Sequence, residues 1–249
     1  MARRLSYAAV AVLLLSRCGG SSPTAPSLLT EQIVSDHYIF HFSAGDRVDA
    51  VWQEAYYLWV VEQLGVSPPV VTYNKYRDRA QMGAATGNST TNGYAEPATA
   101  TIHTIWSTDN HEVVHIYASP WGSPVALFGE GFAVAHQTNP QAGDLTPRWS
   151  GTPLHDLARQ FRSQVRLPSI VSIAETSAFR ALDPNVTYPE AGSFVRFLID
   201  TQGMSAMRRL FGAMNPNASL DAVRSAFLAT YGFSLDEAGA RWQRFLEGT

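Results

Sequence analysis

Apolar and polar residues alternate along 38–42, and the pattern becomes helical in the segment that follows. A period of two predicts a β-strand over 38–42, with three aromatic side chains on one face. From Asp46, a predicted N-cap, to Leu64 the apolar residues recur at helical spacing, which predicts a helix. The helix face predicted to be buried consists of Val48, Val51, Trp52, Ala55 and Leu58.

The rest of the chain predicts two more strands and then a region of helices. Residues 70–76 and 98–105 have strand-like patterns, while 83–96, rich in Gly, Ser, Thr and Asn, predicts a mobile loop. We therefore expect an α+β fold, with a small mixed sheet in an upper lobe of about 35–118 and a mainly helical lower lobe of about 119–249. Helices of the lower lobe are predicted over 154–162, from Pro189 to about Gly203, over 205–214 and 219–231, and after the capping box Ser234–Glu237.

The composition is typical of a globular protein and gives no indication of nucleic-acid binding. Of the 249 residues, 45% are hydrophobic and 16% are charged, which suits a chain with a sizeable buried core. The formal net charge of −3 lacks the basic excess that binds phosphate backbones. We expect a monomer that acts on a peptide or protein and has no nucleic-acid partner.

The N-terminal segment has the pattern of an export sequence. Two arginines precede an apolar run over 7–15, which is too short to cross a bilayer and predicts a signal peptide over 1–18. Cys18, the single cysteine, resembles the lipidated residue of a bacterial lipobox, although Arg17 departs from the small residue usual there. Residues 19–34 predict a flexible tether. We expect an envelope lipoprotein anchored to the membrane through Cys18, or a secreted protein with an unpaired thiol if Cys18 is not lipidated.

The most specific feature of the chain is an H-E-x-x-H pentapeptide over 111–115. In a helix, His111 and His115 lie one turn apart on the same face, so both imidazoles can bind one Zn²⁺. Glu112 then points aside, where it can take a proton from a water molecule. The preceding residues 107–109 offer N-caps for such a helix. The alternative is an ordinary polar helix with two surface histidines.

Glu130 is the candidate for a third zinc ligand. It is the first carboxylate after the pentapeptide and lies fifteen residues beyond His115, enough for one helix to end and a second to begin. Gly129 and Gly131 flank it, and such small neighbours let a backbone pack close to a metal. The alternative is a solvated glutamate near a helix N-terminus, favoured there by the helix dipole.

These residues resemble the gluzincin branch of zincin metallopeptidases, and more narrowly the bacterial peptidase MA-like domains. Such domains show H-E-x-x-H and then an aromatic residue before an E-G-x-A segment. Residues 128–133 match that segment, with one residue fewer between the aromatic and the glutamate. The resemblance extends from about residue 70 to the C-terminus and implies a zincin-like fold. The zinc ligands that it implies are His111, His115 and Glu130, with Glu112 as the general base.

The resemblance also implies a side chain that stabilises the oxyanion. Residues 188–198 are similar to a tyrosine and helix of such domains, and in gluzincins a Tyr or His from this region can donate a hydrogen bond to the tetrahedral oxyanion. Tyr188 is the candidate, and the alternatives are His136, His155, or a purely structural role for Tyr188 at a helix start. The candidate acceptors that would orient the two imidazoles are Asp109, Asp144 and Glu190.

The expected function is zinc-dependent hydrolysis of peptide bonds in the cell envelope. The chain lacks the Gly-x-Met-Glu-Asn type of segment found in aminopeptidase gluzincins, which favours endopeptidase action. Strand 98–105 is the candidate for pairing with an extended substrate, and its His103 is expected to be structural or to face the substrate. The alternative function is that of a non-catalytic zincin-fold lipoprotein that binds or scaffolds. A zinc-trafficking protein is disfavoured because a His-rich tract is lacking.

Overall fold

The computed structural model describes residues 28–248, which form two compact units. The first unit consists of 28–62 and 67–116, and the second of 63–66 and 117–248. The first unit carries a β-sheet and the second is mainly helical, so the protein has an α+β fold.

Several predictions for the N-terminus fall outside the described residues. These are the signal peptide over 1–18, the lipidation of Cys18 and most of the tether over 19–34. The tether prediction was wrong for its last four residues, because Glu31–Val34 is hydrogen-bonded into the sheet as a strand. Within the described part of the chain, no helix has the length and apolar character needed to cross a bilayer.

The first unit contains a mixed five-stranded sheet. Its strands are β1 (Glu31–Val34), β2 (Tyr38–Phe42), β3 (Val71–Lys75), β4 (Gly93–Glu96) and β5 (Thr101–Thr104). Their order across the sheet is β1-β2-β3-β5-β4. The three inner strands are parallel to one another, and the two edge strands β1 and β4 are antiparallel to their neighbours. The alternating aromatic residues of β2 place Tyr38 and Phe40 in the core, as that pattern predicts.

Three helices connect or follow these strands, namely α1 (Ala50–Leu64), α2 (Arg79–Thr86) and α3 (Glu112–Ala118). The rings of Tyr38 and Tyr57 meet edge to face with their centroids 6.1 Å apart, so α1 packs on the aromatic face of the sheet. Met82 of α2 is fully buried and belongs to a separate apolar cluster with Leu29 and Tyr76. The sheet therefore lies between layers of apolar side chains.

The predicted core face of α1 was wrong. Val51 and Leu58 are 52% and 59% exposed, and the fully buried side chains are instead those of Gln53, Tyr56 and Val60. The helix is apolar on almost every side, so periodicity could not distinguish its two faces. The buried face also includes a polar residue, Gln53. Asp46 is not the N-cap either, because α1 begins at Ala50 and Asp49 accepts the hydrogen bond from the Trp52 N–H at 3.0 Å. The Asp46 carboxylate is instead paired with the ammonium group of Lys75.

The predicted mobile loop over 83–96 was wrong at both ends, and the segment outside helices and strands is limited to 87–92. The first part of this segment continues α2 to Thr86, where Gly87 ends the helix in a left-handed conformation with φ +82°. Its last four residues form the edge strand β4. Strands at an edge are often short and polar. Because Gly and Asn residues precede β4, the composition of this segment predicted a loop and not a strand.

The second unit is built mainly from helices. They are α4 (Ala126–Ala135), α5 (Leu154–Ser163), α6 (Thr176–Arg180), α7 (Pro184–Gln202), α8 (Met204–Gly212), α9 (Leu220–Tyr231) and α10 (Leu235–Glu247), with a short hairpin of β6 (Arg148–Trp149) and β7 (Thr152–Pro153). α4 and α7 pack closely. A Cβ at Gly131 would lie 2.8 Å from the Ala191 carbonyl oxygen, and one at Gly192 would lie 2.4 Å from Val134 Cγ1. Glycine at both positions permits this approach.

α7 begins earlier than predicted. The expected start was Pro189, but Asp183 is the N-cap, where it accepts a hydrogen bond from the Asn185 N–H at 2.9 Å. Pro184 occupies the first helical position, which suits a residue without an N–H. The last helix begins as predicted, because the Ser234 hydroxyl accepts a hydrogen bond from the Glu237 N–H at 3.1 Å.

Candidate functional site

Asp109 fixes the start of the helix that carries the H-E-x-x-H pentapeptide. Its Oδ1 accepts hydrogen bonds from the backbone N–H groups of His111 at 2.9 Å and Glu112 at 2.7 Å. Asp109 is only 5% exposed, so these bonds form away from bulk water. The residue acts as the helix cap that the sequence predicts, and its carboxylate positions backbone rather than an imidazole.

Gln53 holds this cap in place and was missed by the sequence analysis. Its amide oxygen accepts the Asp109 N–H at 3.0 Å, and its amide nitrogen donates to the Asp109 carbonyl oxygen at 2.8 Å. The neighbouring Tyr56 hydroxyl donates to the Asn110 carbonyl oxygen at 3.0 Å. A fully buried amide that pairs both ways with one residue fixes the loop on α1. The available indication was a glutamine close to the apolar residues at the start of α1.

The structure brings His111, Glu112 and His115 together at the beginning of α3. Their ligand atoms all lie within 4.8 Å of one another, and the two imidazole centroids are 5.1 Å apart with planes at 79°. All three side chains are partly exposed. Two nitrogens that share a tetrahedral zinc are about 3.4 Å apart, given Zn–N distances of about 2.0–2.1 Å. The cluster is therefore close enough to hold a metal ion after small side-chain rotations.

Gly93 on β4 leaves the space that the Glu112 side chain occupies. A Cβ built at Gly93 would lie 3.1 Å from Glu112 Cγ, 3.3 Å from Glu112 Oε1 and 3.2 Å from the His103 carbonyl oxygen. Such contacts are tighter than ordinary van der Waals separations, so a side chain at this position would displace Glu112 or β5. Gly93 lies within the segment predicted to be a loop, and no pattern in the sequence indicates its role.

Within residues 28–248 no strand pairs with the outer side of β4, so β4 has an open edge beside Glu112. Asn92 accepts the Ile105 N–H at 3.0 Å, which makes these two residues a hydrogen-bonded pair of the antiparallel ladder. Since such pairs alternate, the backbone N–H and C=O groups of Gly93 and Ala95 point away from β5. The prediction that strand 98–105 would pair with a substrate was wrong, because β5 already has a neighbouring strand on each side.

His103 is structural. It is 7% exposed, its Nδ1 lies 2.8 Å from the Tyr76 hydroxyl, and its ring stacks on Tyr94 at 4.7 Å. Burial lowers the pKa of His103, although Glu96 opposes this effect. His103 and Tyr94 form a cross-strand pair next to the pair that contains Gly93, so they lie on the opposite face of the sheet from Glu112.

Glu130 lies on α4 in the second unit and is held by an arginine. Its side chain is 13% exposed, and its Oε1 accepts a hydrogen bond from Arg180 Nη2 at 2.8 Å. This arrangement differs from the solvated glutamate that the sequence left as an alternative. Arg180 could not be found from the sequence, because it lies fifty residues from Glu130 and no local pattern joins the two.

Tyr188 lies in the second turn of α7, within an aromatic group. Its ring centroid is 5.7 Å from that of Trp149 and 5.3 Å from that of Phe179. Partial burial lowers the pKa of the Arg180 guanidinium. The interactions with Glu130 and Tyr188 raise it by more, so the pKa lies above its usual value. The proposed third ligand and the candidate oxyanion donor are thus both associated with one permanent cation.

The two histidine alternatives to Tyr188 differ in their surroundings. His136 is 1% exposed, its Nδ1 lies 2.8 Å from the Phe132 carbonyl oxygen, and burial lowers its pKa to about 4. His155 has its Nδ1 2.8 Å from the hydroxyl of the fully buried Ser193, and burial lowers its pKa as well. A donor to a substrate oxyanion must be accessible, which disfavours the buried His136, whereas His155 and Tyr188 are both half-buried.

The other two candidate acceptors for the imidazoles are Asp144 and Glu190, and their surroundings differ from each other. Asp144 is on the surface of the second unit, where its Oδ2 binds Arg148 Nε at 2.9 Å. Glu190 is fully buried, and neither of its carboxylate oxygens has a hydrogen-bond partner among the described residues. Burial raises the pKa of Glu190 to about 9, so the group is neutral at pH 7.

Comparison with known proteins adds no relative to this picture. No protein-family model matches the chain, and a search of curated proteins finds no significant match.

Proposed function

We propose that this protein is a zinc-dependent peptidase with a zincin-like fold and a gluzincin-type centre. The observation that carries the proposal is the group of His111, Glu112 and His115 at the capped start of α3. Two imidazoles one helical turn apart, with a carboxylate between them, are the arrangement that zinc hydrolysis needs.

The donor set fits zinc better than it fits a hard cation. Imidazole nitrogens suit zinc, whereas calcium and magnesium prefer sets made of oxygen atoms alone. The third ligand that we propose is Glu130. Its support is the sequence order and its position on a helix, together with a rotamer that Arg180 constrains through Oε1.

The proposed reaction combines the chemistry of a bound zinc with separate roles for residues of the chain. A bound zinc supplies a Lewis acid that polarises the scissile carbonyl and lowers the pKa of the attacking water toward about 7. Glu112 takes the proton of that water and delivers it to the leaving amine. The open edge of β4 beside Glu112 offers the Gly93 and Ala95 backbone groups to an extended peptide. Tyr188 donates a hydrogen bond to the oxyanion.

The rival proposal is a non-catalytic zincin-fold lipoprotein that only binds. The surroundings of Glu112 favour the enzyme. A binding module needs neither a carboxylate between the two histidines nor the absence of a side chain at Gly93 that makes room for it. In the proposed setting the protein is exported and remains at the bacterial envelope through Cys18, or is secreted if Cys18 is not lipidated.

The proposed third ligand is tested with Glu130→Ala and Glu130→Gln. Purified protein is expected to cleave members of a peptide library, to lose this activity with a chelator, and to regain it with zinc. Both Glu130 variants should bind zinc more than about 100-fold more weakly, since loss of a direct ligand exceeds the usual effect of a neighbouring group. Glutamine keeps the shape and can still accept from Arg180.

The matched control is Glu237→Ala, which also removes a carboxylate paired with an arginine in the second unit, Arg241. It should leave zinc affinity unchanged. Wild-type zinc affinity in both Glu130 variants would exclude Glu130 as a ligand. Zinc binding by the wild type without cleavage of any library peptide would favour the binding module.

A further inference from the structure

A small pocket lies in the second unit, at the junction between α6 and α7. Its volume is about 210 Å³. Pockets for drug-sized ligands measure about 300–1,000 Å³, so this one suits a single side chain. The residues that line it are Phe179, Arg180, Leu182, Pro184, Thr187 and Tyr188.

The lining combines apolar surface with one permanent charge. Phe179, Leu182 and Pro184 offer carbon surface, while Arg180 is the charged residue of the lining. The Arg180 side chain is 56% exposed. Arg180 donates to Glu130 and also interacts with Tyr188, and its guanidinium has five N–H donors, so donors remain for a ligand.

Glu130 offsets part of this charge on one side of the guanidinium, whereas the nearest acid in the sequence is engaged elsewhere. Asp183 lies between two lining residues, but its Oδ1 caps α7 through the Asn185 N–H at 2.9 Å. Its Oδ2 lies 3.9 Å from Arg166. The pocket therefore presents a guanidinium beside apolar surface, which attracts a ligand with an apolar body and a carboxylate.

We propose that this pocket takes an apolar side chain of a peptide while Arg180 binds an adjacent carboxylate. The inference rests on the proposed function, since it assumes that the occupant is a peptide substrate. The carboxylate comes either from a free C-terminus or from the acidic side chain of a neighbouring residue, and both offer the same two oxygens. Arg180 thereby becomes a specificity-determining residue, in addition to its contact with Glu130.

The test is binding of short probes to the full chain without zinc, measured by calorimetry. The probes are N-acetyl-phenylalanine and its amide, and the N-acetyl-Phe-Glu and Phe-Gln amides. The wild type is expected to bind the carboxylate member of at least one pair about tenfold more tightly than its neutral partner. Preference for free N-acetyl-phenylalanine indicates a C-terminal carboxylate, and preference for Phe-Glu indicates an acidic side chain.

Arg180→Met should remove this preference, and Arg180→Lys should keep only part of it, because an ammonium lacks the guanidinium's fork. Leu182→Ser should weaken all four probes while leaving the preference in place. Its side chain is 46% exposed, so folding should not depend on it. Arg241→Met, on the surface of α10, is the control and should bind like the wild type.

Equal affinity of the wild type for acids and amides, or a preference that persists in Arg180→Met, would overturn the inference. The measurement needs neither zinc nor hydrolysis. A protein that shows the predicted preference but cleaves no peptide would therefore contradict the proposed function and leave the carboxylate site standing.

Discussion

Replacing Glu112 by Gln is expected to lower peptide hydrolysis by about 10²–10⁴-fold while zinc binding stays close to that of the wild type. Glutamine has nearly the same shape, so it fits the space beside Gly93 and leaves the cap at Asp109 intact. It cannot take a proton from water, which is the role that we assign to Glu112. The loss should therefore appear in kcat and not in zinc affinity.

The measurement pairs zinc titration with hydrolysis of a peptide that the wild type cleaves. Glu62→Gln is the matched control, since it changes an exposed glutamate of the first unit and should alter neither quantity. If Glu112→Gln retains wild-type hydrolysis, another group is the base. If instead the variant loses its zinc, Glu112 is a ligand and the division of roles within the cluster is different.

Replacing Glu190 by Gln is expected to stabilise the protein, and increasingly so as the pH rises. The Glu190 carboxyl is fully buried without a hydrogen-bond partner among the described residues, and burial raises its pKa from 4.5 to about 9. Below about pH 4.5 the group is protonated in the folded and unfolded states alike. Between there and about pH 9, ionisation in the unfolded chain alone favours unfolding, by about 1.4 kcal/mol per pH unit.

The wild type should therefore lose stability through Glu190 as the pH rises toward 9, and a glutamine does not titrate. The difference in the free energy of unfolding between Glu190→Gln and the wild type should grow by on the order of 4 kcal/mol from pH 5 to pH 8. Urea unfolding at a series of pH values measures it. Glu190→Leu, which also removes the buried polar atoms, should be more stable than the wild type at every pH.

The control is Glu237→Gln, which changes an exposed, arginine-paired glutamate. Its difference from the wild type should vary little across the same pH range. Parallel pH dependence in Glu190→Gln and the wild type would show that Glu190 ionises normally in the folded protein. In that case a partner for its carboxylate would have to exist in solution.

Local patterns in the sequence predicted those parts of the molecule that depend on nearby residues. His111 and His115 meet because one helical turn separates them, and Asp109 caps their helix because an Asx side chain reaches the N–H groups two and three residues ahead. The strand over 38–42 follows from its period of two, and the capping box at Ser234 marks the last helix. These features need no knowledge of the tertiary fold.

Features that depend on distant residues were missed or misplaced. α1 is apolar on nearly all sides, so only its packing against the sheet shows that Gln53 faces inward. The edge strand β4 has little strand character of its own, and its pairing with β5 defines it. Arg180 becomes notable only when α4 and α6 bring it to Glu130. Non-local contacts of this kind leave no periodic trace in a single sequence.

Zinc stoichiometry and affinity of the wild type, His111→Ala and His115→Ala test the central claim most directly. Competition with a chromophoric chelator gives the affinity, and elemental analysis gives the zinc content. His37→Ala, a partly exposed histidine paired with Glu54 elsewhere in the first unit, is the control. We predict about one zinc per chain in the wild type and the control, and no stoichiometric zinc in the other two variants. A wild type that binds no zinc, or zinc retained at wild-type affinity in both His111→Ala and His115→Ala, would contradict the account.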